Sequence, residues 1–210
     1  MSSKSARFLQ DLINRRSIRK LSKGPPILPD EHLINLVRQT VKHSPSAFNS
    51  QSSRAIILLG SEHDIFWSED VPTAVKSANN DQAWLERIMP KLPMFGVATG
   101  TVLFFESEAV VKANQERSPA FASLFPYWSH QASGIAQSNT WTALSAEGYG
   151  CNLQHLNEVG PSFIKKHGLP EDYKLIAQLV FGVPNEMPGE KSFLPDEQKV
   201  KVFGASTAQL

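Results

Sequence analysis

The chain is poor in cysteine. Cys151 stands alone among 210 residues, so no intrachain disulfide and no cysteine-rich metal site can be built. A single thiol suits a reducing compartment without requiring one. An excess of either charge is also lacking: 21 Lys and Arg stand against 20 Asp and Glu, a formal net charge of +1. So balanced a surface offers no field of one sign for nucleic acid or an anionic membrane, and neither is expected as a partner. No apolar run approaches the roughly 20 residues of a membrane-spanning helix. Familiar catalytic signatures are missing too. Gly148-Tyr149-Gly150 fails as a G-x-G-x-x-G at the third glycine, and there is no P-loop, G-x-S-x-G or H-E-x-x-H. Histidines 32, 43, 63, 130, 155 and 167 do not pair at metal-ligand spacing, and no metal is expected. A chain whose own side chains carry no evident reaction can borrow its chemistry from a cofactor.

What is present reads as a single domain spanning residues 1–210, long enough to bury about 70% of its unfolded surface. Met1 to Lys20 is Ser- and Arg-rich in the manner of a transit peptide, but Asp11 interrupts it and the arginines have another use below. The expectation is a soluble, cytoplasmic chain. Ser5 is predicted to cap a helix bearing Phe8, Leu9, Leu12 and Ile13 on one face. After the Gly24-Pro25-Pro26 break, Asp30 is predicted to cap a second helix striped by Leu33, Ile34, Val37 and Val41. A polar loop from Ser44 to Ser53 follows. Ala55–Leu59, Thr101–Phe105 and Leu175–Phe181 are continuous apolar runs, the pattern of strands covered on both faces. Helical patterns occupy Gln82–Met89, Glu108–Gln115 and Trp128–Glu147. The last carries Ala132, Ile135, Ala136, Ala143 and Leu144 on one side and stops at Gly148, which predicts a helix through the middle of the molecule. Lys199–Phe203 alternates like an edge strand. The fold class is α+β, a sheet with helices packed on it.

Two polar segments stand out. In Arg15-Arg16-Ser17-Ile18-Arg19 an extended backbone would send Arg15, Ser17 and Arg19 to one side. Two guanidinium forks about a hydroxyl suit a phosphate monoester; a solvated basic patch is the plainer reading. Ser44-Pro45-Ser46-Ala47-Phe48-Asn49-Ser50-Gln51 offers amides and hydroxyls suited to a planar heterocycle. A helix end followed by a turn is the plainer reading there.

Taken together, R-x-S-x-R followed about 30 residues later by P-S-x-x-N-S-Q resembles the FMN-dependent nitroreductase family. The likeness continues through Gln131–Gln137, Gly148-Tyr149-Gly150-Cys151-Asn152-Leu153-Gln154-His155, Phe181-Gly182-Val183-Pro184 and Gly189–Pro195. It looks most like a compact bacterial and fungal branch, the fatty-acid-repression-mutant-like nitroreductases, and is weakest from Glu62 to Pro93. The resemblance implies an intertwined homodimer of α+β sandwiches with a mainly antiparallel central sheet, and a C-terminal tail, about residues 185–210, that is a candidate to pack on the partner. It implies FMN as cofactor, NADH or NADPH as donor, and a quinone or nitro compound as a small-molecule acceptor reduced by two electrons in ping-pong order. Carried over, Arg15, Arg16, Ser17 and Arg19 serve the FMN phosphate and ribityl chain, and Lys191 completes the phosphate site. Phe193 stands where many relatives have an arginine. Pro45, Ser46, Asn49 and Gln51 match the loop lent to the partner's flavin; Gln154, His155 and Leu156 match the stretch along the ring. No side chain is implied as a nucleophile. Taken alone, His155 reads as a structural histidine and Cys151 as a small buried hydrophobe. Of the aromatic cluster Phe121, Phe125, Tyr127 and Trp128, Phe125 and Tyr127 read either as core or as a substrate-pocket roof. The competing reading of the whole is a flavin-binding, redox-sensing regulator with little turnover.

Overall fold

A computed structural model describes residues 4–204 of the chain. Ser5 holds the N-cap position of α1 (Ala6–Asn14), where its carbonyl accepts from Leu9 N–H at 2.9 Å. The apolar stripe of α1 forms as expected but faces outward: Phe8 is 60% and Ile13 68% exposed. After the two-residue β1 (Leu21–Ser22) comes α2 (Asp30–Lys42). Pro29, not Asp30, takes its cap position. Asp30 sits with Glu31 in the first turn, where carboxylates meet the positive end of the helix. Leu33 and Val37 are buried, Ile34 and Val41 partly so.

The predicted strands lengthen into β2 (Ser53–Leu59), β3 (Gly100–Ser107) and, last in the chain, a long strand over Tyr173–Pro184. Between β2 and β3 lie α3 (Gly60–Ile65), a π-helical turn over Phe66–Asp70, α4 (Val71–Ala78), α5 (Gln82–Ile88) and α6 (Pro93–Gly96). Helices α7 (Glu108–Arg117) and α8 (Phe125–Ala146) follow, then β4 (Gly150–Gln154), α9 (Gly160–His167), β5 (Tyr173–Pro184) and α10 (Asp196–Lys199). The sheet runs β1-β5-β3-β2 with β4 also on β5, every strand pairing antiparallel.

Side chains alternate through the sheet. On β3, Leu103 and Phe105 point to one face, packed under Phe66, Trp67, Val71, Val75, Leu92, Phe95 and Phe163. Val102 and Phe104 point to the other, against Leu33, Val37, Ala136 and Leu144 of α2 and α8. Burial of this kind contributes about 1.5–3 kcal/mol per large apolar side chain. Coverage is complete at β3 but partial along β2, an edge strand rather than one covered throughout.

Two further expectations need correction. Helix α8 starts three residues earlier than predicted and buries Ala132, Ala136 and Leu144, yet Ile135 is exposed and the helix lies on the surface of this chain. Lys199 closes α10, and residues 200–203 pair with no strand among the described residues; Val200, Val202 and Phe203 stand exposed, because no free sheet edge of the same chain lies against them. Among the described residues no helix is long and apolar enough to cross a membrane.

Candidate active site

The backbone from Arg15 onward leaves α1 extended and runs parallel to β4, bridging at Ser17 and Cys151. Ile18 N–H donates to Cys151 O at 2.8 Å, and Asn152 Nδ2 donates back to Ile18 O at 2.9 Å. Ile18 and Leu21 are buried in the core, which fixes the flanking arginines toward the outside. Glycine is what permits the approach. A Cβ on Gly150 would sit 2.7 Å from Leu21 Cδ2 and 3.2 Å from Ile18 Cγ2, and one on Gly182 would sit 2.7 Å from Ser22 O. Both glycines are therefore part of how the basic segment is placed.

A second wall comes from the segment after β5. Asn185 N–H donates to Lys20 O, Ser22 Oγ donates to Asn185 Oδ1, and Arg16 Nη2 donates to Gly189 O at 2.8 Å. Between the walls lies a cleft of about 460 Å³ lined by residues 15–20 and 186–191. It thus joins Arg15, Arg16, Ser17 and Arg19 with Lys191, as the sequence suggested. Their commitments differ. Arg16 clamps the walls and Lys20 pairs with Glu186. Arg15, Arg19 and Lys191 have no acidic partner among the described residues, although Arg15 Cζ lies 4.5 Å from the Trp141 ring centroid and Lys191 Nζ 5.0 Å from that of Phe193.

Gln154, His155 and Leu156 continue β4. Gln154 Nε2 donates to Asn152 Oδ1, and Leu156 N–H donates to Gln178 Oε1 at 2.8 Å, itself held by a bond from Gln178 Nε2 to Asn157. Among the described residues that leaves His155 N–H as the amide of the stretch with no acceptor. The His155 ring is exposed rather than packed in the interior. Cys151 is buried, and burial pushes its thiol far above the ordinary thiol range, partly opposed by Arg15. This is an inert thiol.

Pro45, Ser46 and Gln51 line a different cleft of about 120 Å³ with Lys42, Arg54 and Ala132, sharing no residue with the first. Here the backbone is strained: Phe48, Asn49 and Gln51 have φ of 54°, 51° and 53°. Such left-handed residues cost of order 1–3 kcal/mol each and concentrate at ligand clamps. Ser46 Oγ accepts from Gln51 N–H at 2.9 Å, Asn49 N–H donates to Ser46 O, and Asn139 on α8 donates to Ser44. The strain seats Phe48 within 5.7–5.8 Å of the Phe121, Phe125 and Trp128 rings. Phe125 is buried in that cluster, Tyr127 is 67% exposed, and neither lines the arginine cleft of the same chain.

Asn152, Trp141, Gln178 and the Glu186–Gly189 wall escaped sequence reasoning, because each acts on a partner distant along the chain. The adjacency of Asn152 to the G-Y-G-C run was the nearest available signal. Among the described residues no group of three or more His, Cys, Asp or Glu is placed to hold a metal ion.

The model of the nitroreductase family matches residues 12–183. The nitroreductase FRM2 of Saccharomyces cerevisiae is 34% identical over 203 residues, 91% of this chain and 95% of the yeast protein. The nitroreductase CinD of Lactococcus lactis, solved in complex with chloramphenicol, superposes with a TM-score of 0.85 at 41% identity, covering 93% of this chain and 99% of CinD. A nitroreductase from Desulfitobacterium hafniense, solved with bound FMN, shares the fold at 17% identity, with a TM-score of 0.68 and coverage of 97% and 100%. The chain belongs to the nitroreductase family.

Proposed function

We propose that this chain is an FMN-dependent NAD(P)H oxidoreductase that reduces quinones or nitroaromatic compounds by two electrons. One observation carries the reading. Three cations without acidic partners among the described residues, Arg15, Arg19 and Lys191, meet the Ser17 hydroxyl in one cleft, and the segment that carries Ser17 bridges to β4 at Cys151. The fit to the cofactor is chemical. Arg15, Arg16, Arg19, Lys20 and Lys191 face only Glu186 and Glu190 in the lining, a surplus that asks for an anion, and guanidinium forks match phosphate oxygens in pairs. The volume lies within the roughly 300–1,000 Å³ of small-molecule sites.

When bound, FMN supplies hydride exchange between a reduced nicotinamide and the acceptor. The chain's own part is to bind and orient. Arg15, Arg19 and Lys191 hold the phosphate end, Ser17 adds a hydroxyl, and the walls clamped by Arg16 keep the cleft from spreading. His155 N–H is the amide left to face the ring, since Leu156 N–H belongs to Gln178. The strained Pro45–Gln51 loop serves the site of a second copy; its position on a separate cleft of its own chain supports this reading. That copy also supplies a cover for the outward apolar face of α1 and for the exposed tail from Phe193 to Phe203. Chloramphenicol in CinD is a nitroaromatic compound, which supports the acceptor class.

The test is the absorption spectrum of the purified protein. Stoichiometric FMN, bleached by NADH or NADPH and restored by a small quinone or by 4-nitrophenol, is the expected result. A colourless protein sinks the cofactor assignment, and bound FMN that neither donor bleaches sinks the enzymatic one.

A further inference from the structure

We infer that Trp141 is a positioning residue for the phosphate end of the cleft, acting through Arg15; this rests on the FMN reading above. Trp141 lies on α8, 126 residues from Arg15, half-buried against the core on the α2–α8 side of the sheet. Arg15 Cζ lies over its ring, 4.5 Å from the centroid. A guanidinium held through its face by an aromatic ring keeps its five N–H donors at the edge, available to a ligand. The Arg15 guanidinium donates to no side chain or carbonyl among the described residues, whereas that of Arg16 next to it is spent on Gly189 O. The indole face therefore restrains the one arginine at the α1 end of the cleft that has no other anchor. A restrained fork loses less freedom when an anion arrives.

The indole nitrogen supports this division of labour. Trp141 Nε1 is buried and has no hydrogen-bond acceptor among the described residues, although buried indole N–H groups usually find one. A tryptophan kept for its N–H would have a partner. Here it is the ring face that is engaged, so Trp141→Phe loses no hydrogen bond to the described residues and keeps a weaker aromatic face.

The experiment titrates the full-length chain, stripped of flavin, with FMN and with riboflavin, following quenching of flavin fluorescence. The two ligands differ by the phosphate alone, so the ratio of their affinities isolates the phosphate end. Trp141→Leu is expected to lower FMN affinity roughly three- to thirtyfold, the range of cation–π pairs, and to leave riboflavin unchanged. Trp141→Phe is expected to fall between wild type and Trp141→Leu. In an Arg15→Ala background, Trp141→Leu should have no further effect on the ratio. Equal losses for both flavins would make Trp141 a plain core residue and overturn the inference. An undiminished effect in the Arg15→Ala background would overturn the route through Arg15. A wild type that binds both flavins equally, or neither, would instead overturn the phosphate reading on which this one stands.

Discussion

The two faces of the sheet solve the same packing problem differently. On the face under α3–α6 and α9, rings interlock edge to face: Phe66 with Trp67 at 5.3 Å and 89°, Phe66 with Phe163 at 5.6 Å and 89°. Trp67, Phe66 and Phe163 are all essentially without exposure. The face under α2 and α8 has a comparable inner layer, but its outer helices leave Phe8, Ile13 and Ile135 in the open. Its aromatic cluster about Phe48 is built on a strained loop, and its tryptophan Trp141 faces a cation. One face is closed by its own chain; the other is finished only in part. Stability should concentrate on the first, recognition and assembly on the second.

The largest effect tests the closed face. Trp67→Ala is expected to cost about 3–5 kcal/mol, as aromatic truncations in cores do, measured by urea denaturation. Flavin affinity of the folded fraction should not change. If Trp67→Ala instead left stability intact and altered flavin binding, the division between the faces would be wrong. Next is the cleft. Arg15→Ala and Arg19→Ala should each weaken FMN binding roughly ten- to a hundredfold, since a charge-assisted bond contributes about 1.5–3 kcal/mol. The melting temperature without flavin should stay within error of wild type for Arg19→Ala, since neither guanidinium has an acidic partner among the described residues, and fall only slightly for Arg15→Ala, which loses the Trp141 contact. Unchanged flavin occupancy after dialysis in the double variant would refute the phosphate assignment.

How far these features were legible in the sequence follows from the range of the forces involved. Strands β2, β3 and β5 announce themselves as continuous apolar runs, and α8 by its periodicity. The five-residue β4 does not, because the alternation in Gly150-Cys151-Asn152-Leu153-Gln154 is short and includes no β-branched residue; its pairing to β5 and to Ser17 makes it a strand. The helices between Gly60 and Gly96 were mostly missed, broken up as they are by Pro72, Pro90 and Pro93. At the site, Arg15, Ser17, Arg19 and Lys191 were readable as chemistry. That Arg16 would clamp Gly189, and that Asn152 would pin Ile18, depends on chain segments more than 130 residues apart. No local pattern carries such information. Expecting Lys199–Phe203 to be a strand rested on alternation alone, which states that a segment can pair but not that a partner is within reach.

A smaller effect tests the unfinished face. Ile13→Asp places a charge on the outward stripe of α1. Within one chain it should hardly change stability, because Ile13 is exposed, yet it should dissociate the proposed homodimer in sedimentation and release FMN with it. A variant that stays dimeric and yellow would remove α1 from the assembly surface.

The smallest effect returns to the closed face and concerns its one buried imidazole. His63 is fully buried; its Nδ1 lies 3.0 Å from Thr101 Oγ1, which also accepts from Trp67 Nε1 at 2.9 Å. Its Nε2 is buried without a close hydrogen-bond partner among the described residues, and the Phe95 and Gly96 backbone beside the ring favours its charged form. Burial lowers its pKa below the ordinary 6.5, and the Lys23 charge adds to this, while neighbouring Asp64 opposes it. The unfolded chain therefore takes up a proton near pH 6.5, and the folded chain only at lower pH. Between these values the unfolded state holds the extra proton, so the contribution of neutral His63 is complete above about pH 6.5 and is lost as pH falls through the window. One proton limits the slope to about 1.4 kcal/mol per pH unit. His63→Gln can keep a bond to Thr101 while removing the titration. Urea midpoints for wild type and variant, measured from pH 8 to pH 5, should keep a constant difference above the window and converge below it. Parallel curves throughout would mean that the closed face accommodates a charged imidazole, and that it is less thoroughly sealed than its packed rings imply.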